Sequence, residues 1–101
     1  VRDEHEYVEM APAELASHLQ RLSKELALAH EVRGRAAAEE HRYFTDGYRN
    51  SRGKSVAERR MDGELSADLE HRELLEAEAT LASLQTIHGL VVILLELKGR
   101  Q

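Results

Sequence analysis

The sequence predicts an all-α protein, an antiparallel helical hairpin of two long helices with coiled-coil-like packing, assembling into a homo-oligomeric bundle. Three observations lead there. Charged residues make up 33% of the 101 residues, with one Pro, six Gly and abundant Ala, Leu, Glu and Arg, the usage of long helices rather than sheets. Apolar residues recur at steps of three and four in both halves of the chain, the period of one helical face. Turn formers gather at one place, "DGYRNSRGKS" near the middle, where the chain must reverse.

The elements follow in order within a single domain, residues 1–101. Residues 1–11 form an acidic N-terminal segment. Pro12 suits the first turn of a helix, where its missing N–H is no loss, and Glu14 complements the positive end of the dipole. A first helix therefore spans 12–48, roughly 55 Å at 1.5 Å per residue. Its apolar stripe is Leu15, Leu19, Leu22, Leu26 and Ala29, which shrinks to Ala36 and Ala37 and regains bulk at Tyr43 and Phe44. Gly34 costs this helix about 1 kcal/mol. Residues 49–55 form the turn, and Ser55 with Glu58 reads as a capping box that opens a second helix.

That second helix is expected to run unbroken over 56–98, about 65 Å long, with Gly63 and Gly89 as weak points. Leu74, Ala77, Leu81, Leu84, His88, Val91 and Leu95 make a heptad seam. Ile87, Leu90, Leu94 and Leu97 form a second stripe beside it, and Val92 and Ile93 fill further round. A helix apolar on most of its circumference needs cover on several sides. The cover is another chain or a folded-back N-terminal segment around Tyr7, Val8 and Met10. Another chain is preferred, because an uncovered patch of that size invites aggregation. The expected oligomer interface is thus Leu74, Leu81, Leu84, Ile87, His88, Leu90, Val91, Leu94, Leu95 and Leu97. A strand over "LVVILLEL" is the competing local reading, set aside because the approach from Leu74 is regularly helical.

Size and composition bound the function. A chain this short leaves much of its surface wet unless it oligomerises. It has no Cys, which excludes a disulfide framework and sulfur-based zinc sites and fits a cytoplasmic location. The N-terminus is acidic, lacks an apolar h-region and does not open on Met, so it reads neither as a signal peptide nor as a natural start. The longest apolar run, Leu90 to Leu95, is far short of the roughly 20 residues of a membrane span, and no membrane association is expected.

Candidate chemistry is sparse. None of the six histidines stands in HExxH or in the Glu-x-x-His pattern, the nearest approach being Asp68-x-x-His71; no metal or other cofactor is expected. His88 is the exception in placement. A seam imidazole needs a hydrogen-bond partner, fixes register or oligomer state, and makes assembly sensitive to pH near about 6. Seven carboxylates between Asp62 and Glu78 belong to a solvated face, since they do not converge. No nucleophile elbow or phosphate-cradling Gly loop occurs, so the chain is not expected to be an enzyme.

One stretch stands out electrostatically. Residues 42–60, "RYFTDGYRNSRGKSVAERR", carry +4 in a chain of net charge −5 and hold three of its four aromatic residues. Arg42, Arg49, Arg52, Lys54, Arg59 and Arg60 interleaved with Tyr43 and Tyr48 would suit single-stranded nucleic acid, by phosphate neutralisation and stacking, with an anion site at the start of the second helix. The favoured alternative is structural: the rings seal the end of a thin core, and Arg59 and Arg60 pair with Glu39, Glu40 or the acidic belt.

The segment "YFTDGYRNSRGKSVAERRMDGELS" and the later "LASLQTIHGLVVILLELKGR" resemble small helical accessory proteins of actinobacterial tailed phages and prophages. The matching positions are Tyr48, Gly53, Ser55, Val56, Leu84 and Gln85. The resemblance implies a small accessory factor encoded near replication and recombination functions, acting in the host cytoplasm, with no catalytic residues. The expected function is a non-enzymatic adaptor or inhibitor that self-associates and docks on a protein partner, with nucleic-acid binding by the turn as the alternative.

Overall fold

The structure, a computed structural model, describes residues 4–100. It contains four helices and, among the described residues, no strand: α1 (Glu4–Glu9), α2 (Pro12–Arg49), α3 (Val56–Ser66) and α4 (Asp68–Gly99). The region weighed above as a strand lies inside α4. α2 forms one arm, α3 and α4 together form the other, and the arms pack antiparallel along a rod of 68 × 19 × 18 Å.

α2 begins where the sequence places it. Pro12 occupies the first turn behind an extended Ala11, whose carbonyl accepts from the Leu15 N–H at 3.0 Å. The helix runs one residue past the expected end, closing with Asn50 N–H on the Asp46 carbonyl at 2.9 Å. Asp46 and Gly47 are therefore helical, and the turn begins at Asn50. At the far side of the turn Ser55 Oγ accepts from Glu58 N–H at 3.1 Å, while the Glu58 carboxylate accepts from Lys54 N–H at 2.6 Å. This is the expected capping exchange, shifted by one residue on the return bond.

The second arm is not one helix. Ala67 leaves the helical region at φ −103°, ψ 12°, and closes α3 by donating to the Gly63 carbonyl at 3.1 Å. Its own carbonyl accepts from His71 N–H at 2.8 Å inside the new helix. The arms pack closely just before this break. An ideal Cβ on Gly63 would stand 2.9 Å from Phe44 Cε2 and 3.0 Å from the Phe44 carbonyl oxygen. One on Gly47 would stand 2.6 Å from Ser66 Cβ and 2.9 Å from the Asp62 carbonyl oxygen. The two glycines let α2 and α3 approach closely at the turn end, whereas α4 must stand off α2 far enough for leucines to fit.

The core is a single apolar layer. Leu15, Leu22 and Ala29 of α2 meet Leu81, Leu84 and Val91 of α4, with Leu15 and Val91 fully buried. α1 completes it. Tyr7 and Met10 are buried at 2% and 4% exposure, the Tyr7 ring standing edge-on to His18 at 5.8 Å. Lys98 Nζ fastens the segment by donating to the carbonyls of Val8, at 2.7 Å, and Met10. The acidic N-terminal segment thus includes a folded-back helix from Glu4 onward; residues 1–3 of that segment lie outside the described residues. Part of the cover expected from another chain is supplied by the molecule itself.

Candidate functional site

Two surfaces bear on the expected sites, the side of α4 turned away from α2 and the tip around residues 49–60. The expected interface residues divide accordingly. Leu81, Leu84 and Val91 are buried against α2, so they cannot meet a second copy while the hairpin is intact. His88 also faces the hairpin seam: Ser23 Oγ lies 3.3 Å from its Nε2 and donates its one hydrogen to the Leu19 carbonyl at 2.8 Å. Nε2 is therefore the donor to Ser23. The imidazole has the partner that the sequence demanded.

Leu74, Ile87, Leu90, Leu94 and Leu95 are half-buried, and only Leu97 of the expected set is open, at 53%. Ile93, left out of that set, is 54% exposed. A helical wheel explains the division. The seam residues Leu81, Leu84 and Val91 point one way, and Ala79, Ala82, Thr86, Leu90, Ile93 and Leu97 follow a three-four spacing on the other side, where all are exposed except Leu90, which is half-buried and packed against the core cluster. No Asp, Glu, Lys or Arg occurs between Glu78 and Glu96, so this outer side carries no charge over nearly five turns. The Thr86 hydroxyl donates to the Ala82 carbonyl at 3.0 Å, leaving its methyl as the exposed group.

The tip is more tied down than its polarity suggests. Phe44 and Tyr48 are half-buried and stacked, with centroids 6.3 Å apart and planes at 23°. Tyr43 alone stays open, at 39%, beneath the Arg42 guanidinium at 5.1 Å. Arg42 is also held by Glu39 at 2.9 Å. The loop is knotted by Ser51 Oγ donating to the Asp62 carboxylate, Gly53 N–H donating to Ser51 Oγ at 3.0 Å, and Arg59 Nε donating to the Gly53 carbonyl at 3.3 Å. Arg59 and Arg60 do not pair with Glu39 or Glu40; Glu40 accepts instead from His71 at 2.8 Å across the arms. Arg49, Arg52, Lys54 and Arg60 have no carboxylate partner among the described residues. At the start of α3, where an anion site was expected, Ser55 Oγ takes the Glu58 N–H and the Glu58 carboxylate takes the Lys54 N–H.

Among the described residues no group of three or more His, Asp or Glu is placed to hold a metal ion. A cavity at the bend is lined by Glu40, Phe44, Glu64, Ala67, Asp68 and His71. An apolar groove along the hairpin is lined by Leu28, Ala29, Val32, Ala77, Thr80 and Leu84.

α4 is, among the described helices, the one long and apolar enough to cross a membrane, with an 18-residue window of mean hydropathy 1.6. The expectation of no span considered only the run from Leu90 to Leu95, whereas the window in α4 covers 18 residues, 17% of them buried. The core helix of a soluble protein meets the same criterion, and the seam side of α4 is packed on α2.

No protein-family model, no curated protein and no solved structure matches this chain.

Proposed function

We propose that the protein is a non-enzymatic helical adaptor or inhibitor that self-associates through the outer side of α4 and docks on a macromolecular partner. One observation carries the reading: Ile93 and Leu97 are more than half exposed on a helix side without charge from Ala79 to Leu95. Removing such a side from water yields roughly 25 cal/mol per Å² of apolar area, and scattered surface leucines do not form continuous sides of this kind. The phage-type accessory role and the cytoplasmic location belong to the same reading, which the heavily charged α2 beside α4 supports over a membrane one.

Light scattering of the purified protein tests it, with a dimer or larger assembly expected. Ile93→Glu combined with Leu97→Glu should give a monomer of unchanged helicity, because both side chains lie outside the hairpin core. A wild-type protein that stays a folded monomer at high concentration would sink the reading.

A second reading rests on a different observation, the four cations at the tip without carboxylate partners. They favour an acidic partner such as single-stranded nucleic acid, although Tyr43 is the one ring open for stacking. Fluorescence anisotropy with a labelled single-stranded oligonucleotide should then show binding that weakens steeply with salt. No binding at low salt eliminates it.

A further inference from the structure

The outer side of α4 is graded in size along its length, small at Ala79, Ala82 and Thr86 and large at Leu90, Ile93 and Leu97. From this, and resting on the self-association proposed above, we infer that the partner of this side is a second copy laid antiparallel across it, with the two-fold axis at the level of His88. Helices pack by fitting ridges into grooves at interaxial distances set by the side chains between them. In a parallel pair the small ends would leave a gap while the large ends hold the axes apart. The antiparallel pair sets Leu97 on the second copy's Ala79 and the open part of half-buried Leu90 on its Thr86, so each of these levels joins one large and one small side chain and the spacing is uniform. Two-fold symmetry makes the contact self-complementary.

Charge selects the same direction. Asp68, Glu70, Glu73, Glu76 and Glu78 crowd the first third of α4 with Arg72 as the one basic residue, whereas Lys98 and Arg100 stand at its end. A parallel pair would set carboxylates beside carboxylates, which is unfavourable. The antiparallel one carries Arg100 to the second copy's Glu76 and Glu78. Neither Thr86 nor His88 is stranded, because the Thr86 hydroxyl is bonded within its own helix and His88 is turned to Ser23.

The chain contains no Cys, so single-cysteine variants report geometry directly. In the antiparallel pair the two copies of residue 79 are separated by 18 residues of rise, about 27 Å, far beyond the roughly 7 Å limit for a disulfide between Cα atoms. Ala79→Cys mixed with Leu97→Cys should therefore give the mixed disulfide as the dominant product, and neither variant alone should cross-link to itself. Both positions are exposed, so folding is preserved, and circular dichroism verifies it. Self-linking of Ala79→Cys would establish a parallel pair and overturn the inference, as would a dimer by light scattering with no mixed disulfide. Those outcomes leave the proposed self-association standing; a monomer by light scattering removes both.

Discussion

Gly63 lies against Phe44 so closely that neither the ring nor the backbone carbonyl beneath it leaves room for a methyl group. The nearest approaches to an added Cβ are 2.9 Å and 3.0 Å. Gly63→Ala should destabilise the protein by about 1–3 kcal/mol, the range for forcing extra volume into packed contacts, and Gly47→Ala should act alike because the Asp62 backbone blocks it at 2.9 Å. Gly34 is the control. Nothing lies within 4 Å of a Cβ there, so Gly34→Ala should stabilise α2 by about 0.5–1 kcal/mol through helix propensity alone. Urea midpoints of the three variants check the ordering.

These glycines also mark where the sequence was legible. Pro12 and the Ser55 and Glu58 pair are local devices, each acting within one turn of helix, and both ends they predict appear in the structure. The break at Ala67 has only a faint local signal, the weak point at Gly63 whose carbonyl takes the Ala67 N–H; the contact of Gly63 with Phe44, nineteen positions earlier, is not legible in the sequence. α1 escaped for a related reason. A six-residue helix has no stability of its own, and it is held by the burial of Tyr7 and Met10 in the core cluster and by Lys98 on the Val8 and Met10 carbonyls. The outer side of α4 was half legible: its apolar excess is plain in the sequence, but which stripe faces α2 depends on the tertiary pairing. At the tip, composition showed charge and rings together without showing that Phe44 and Tyr48 face inward.

Ser55→Ala removes the acceptor for the Glu58 N–H at a helix start with no other side chain on that group. The expected loss is about 1 kcal/mol. It should be local, with faster amide exchange at residues 56–59 and little change near Val91. Uniform acceleration across α4 would show that the turn is coupled to the whole hairpin instead.

α1 should unfold together with the hairpin core, because Tyr7 and Met10 belong to the same buried cluster as Leu15 and Val91. Tyr7 is 2% exposed, and its removal in Tyr7→Ala should lower stability by about 3–5 kcal/mol if α1 folds together with the core, the range for large aromatic truncations. A much smaller loss, accompanied by dye binding to newly exposed Leu94, would indicate that α1 opens independently. Lys98→Met separates the two contributions, because it removes the donor to the Val8 and Met10 carbonyls while keeping an apolar stem over the same surface.

His88→Leu tests whether the seam imidazole serves stability or specificity. Deleting one partner of a buried hydrogen bond is costly mainly when the other is stranded. Ser23 is not stranded, since its hydroxyl still donates to the Leu19 carbonyl at 2.8 Å and the residue is exposed. The leucine also extends the apolar seam between Leu84 and Val91. The substitution should therefore change unfolding free energy by less than about 1 kcal/mol, and its effect should lie in register, which a polar seam residue fixes. A hairpin whose amide-exchange pattern stays sharp and single in His88→Leu would show that leucine packing alone sets the alignment of α2 on α4; a second, slipped pattern would assign that task to the Ser23 and His88 contact.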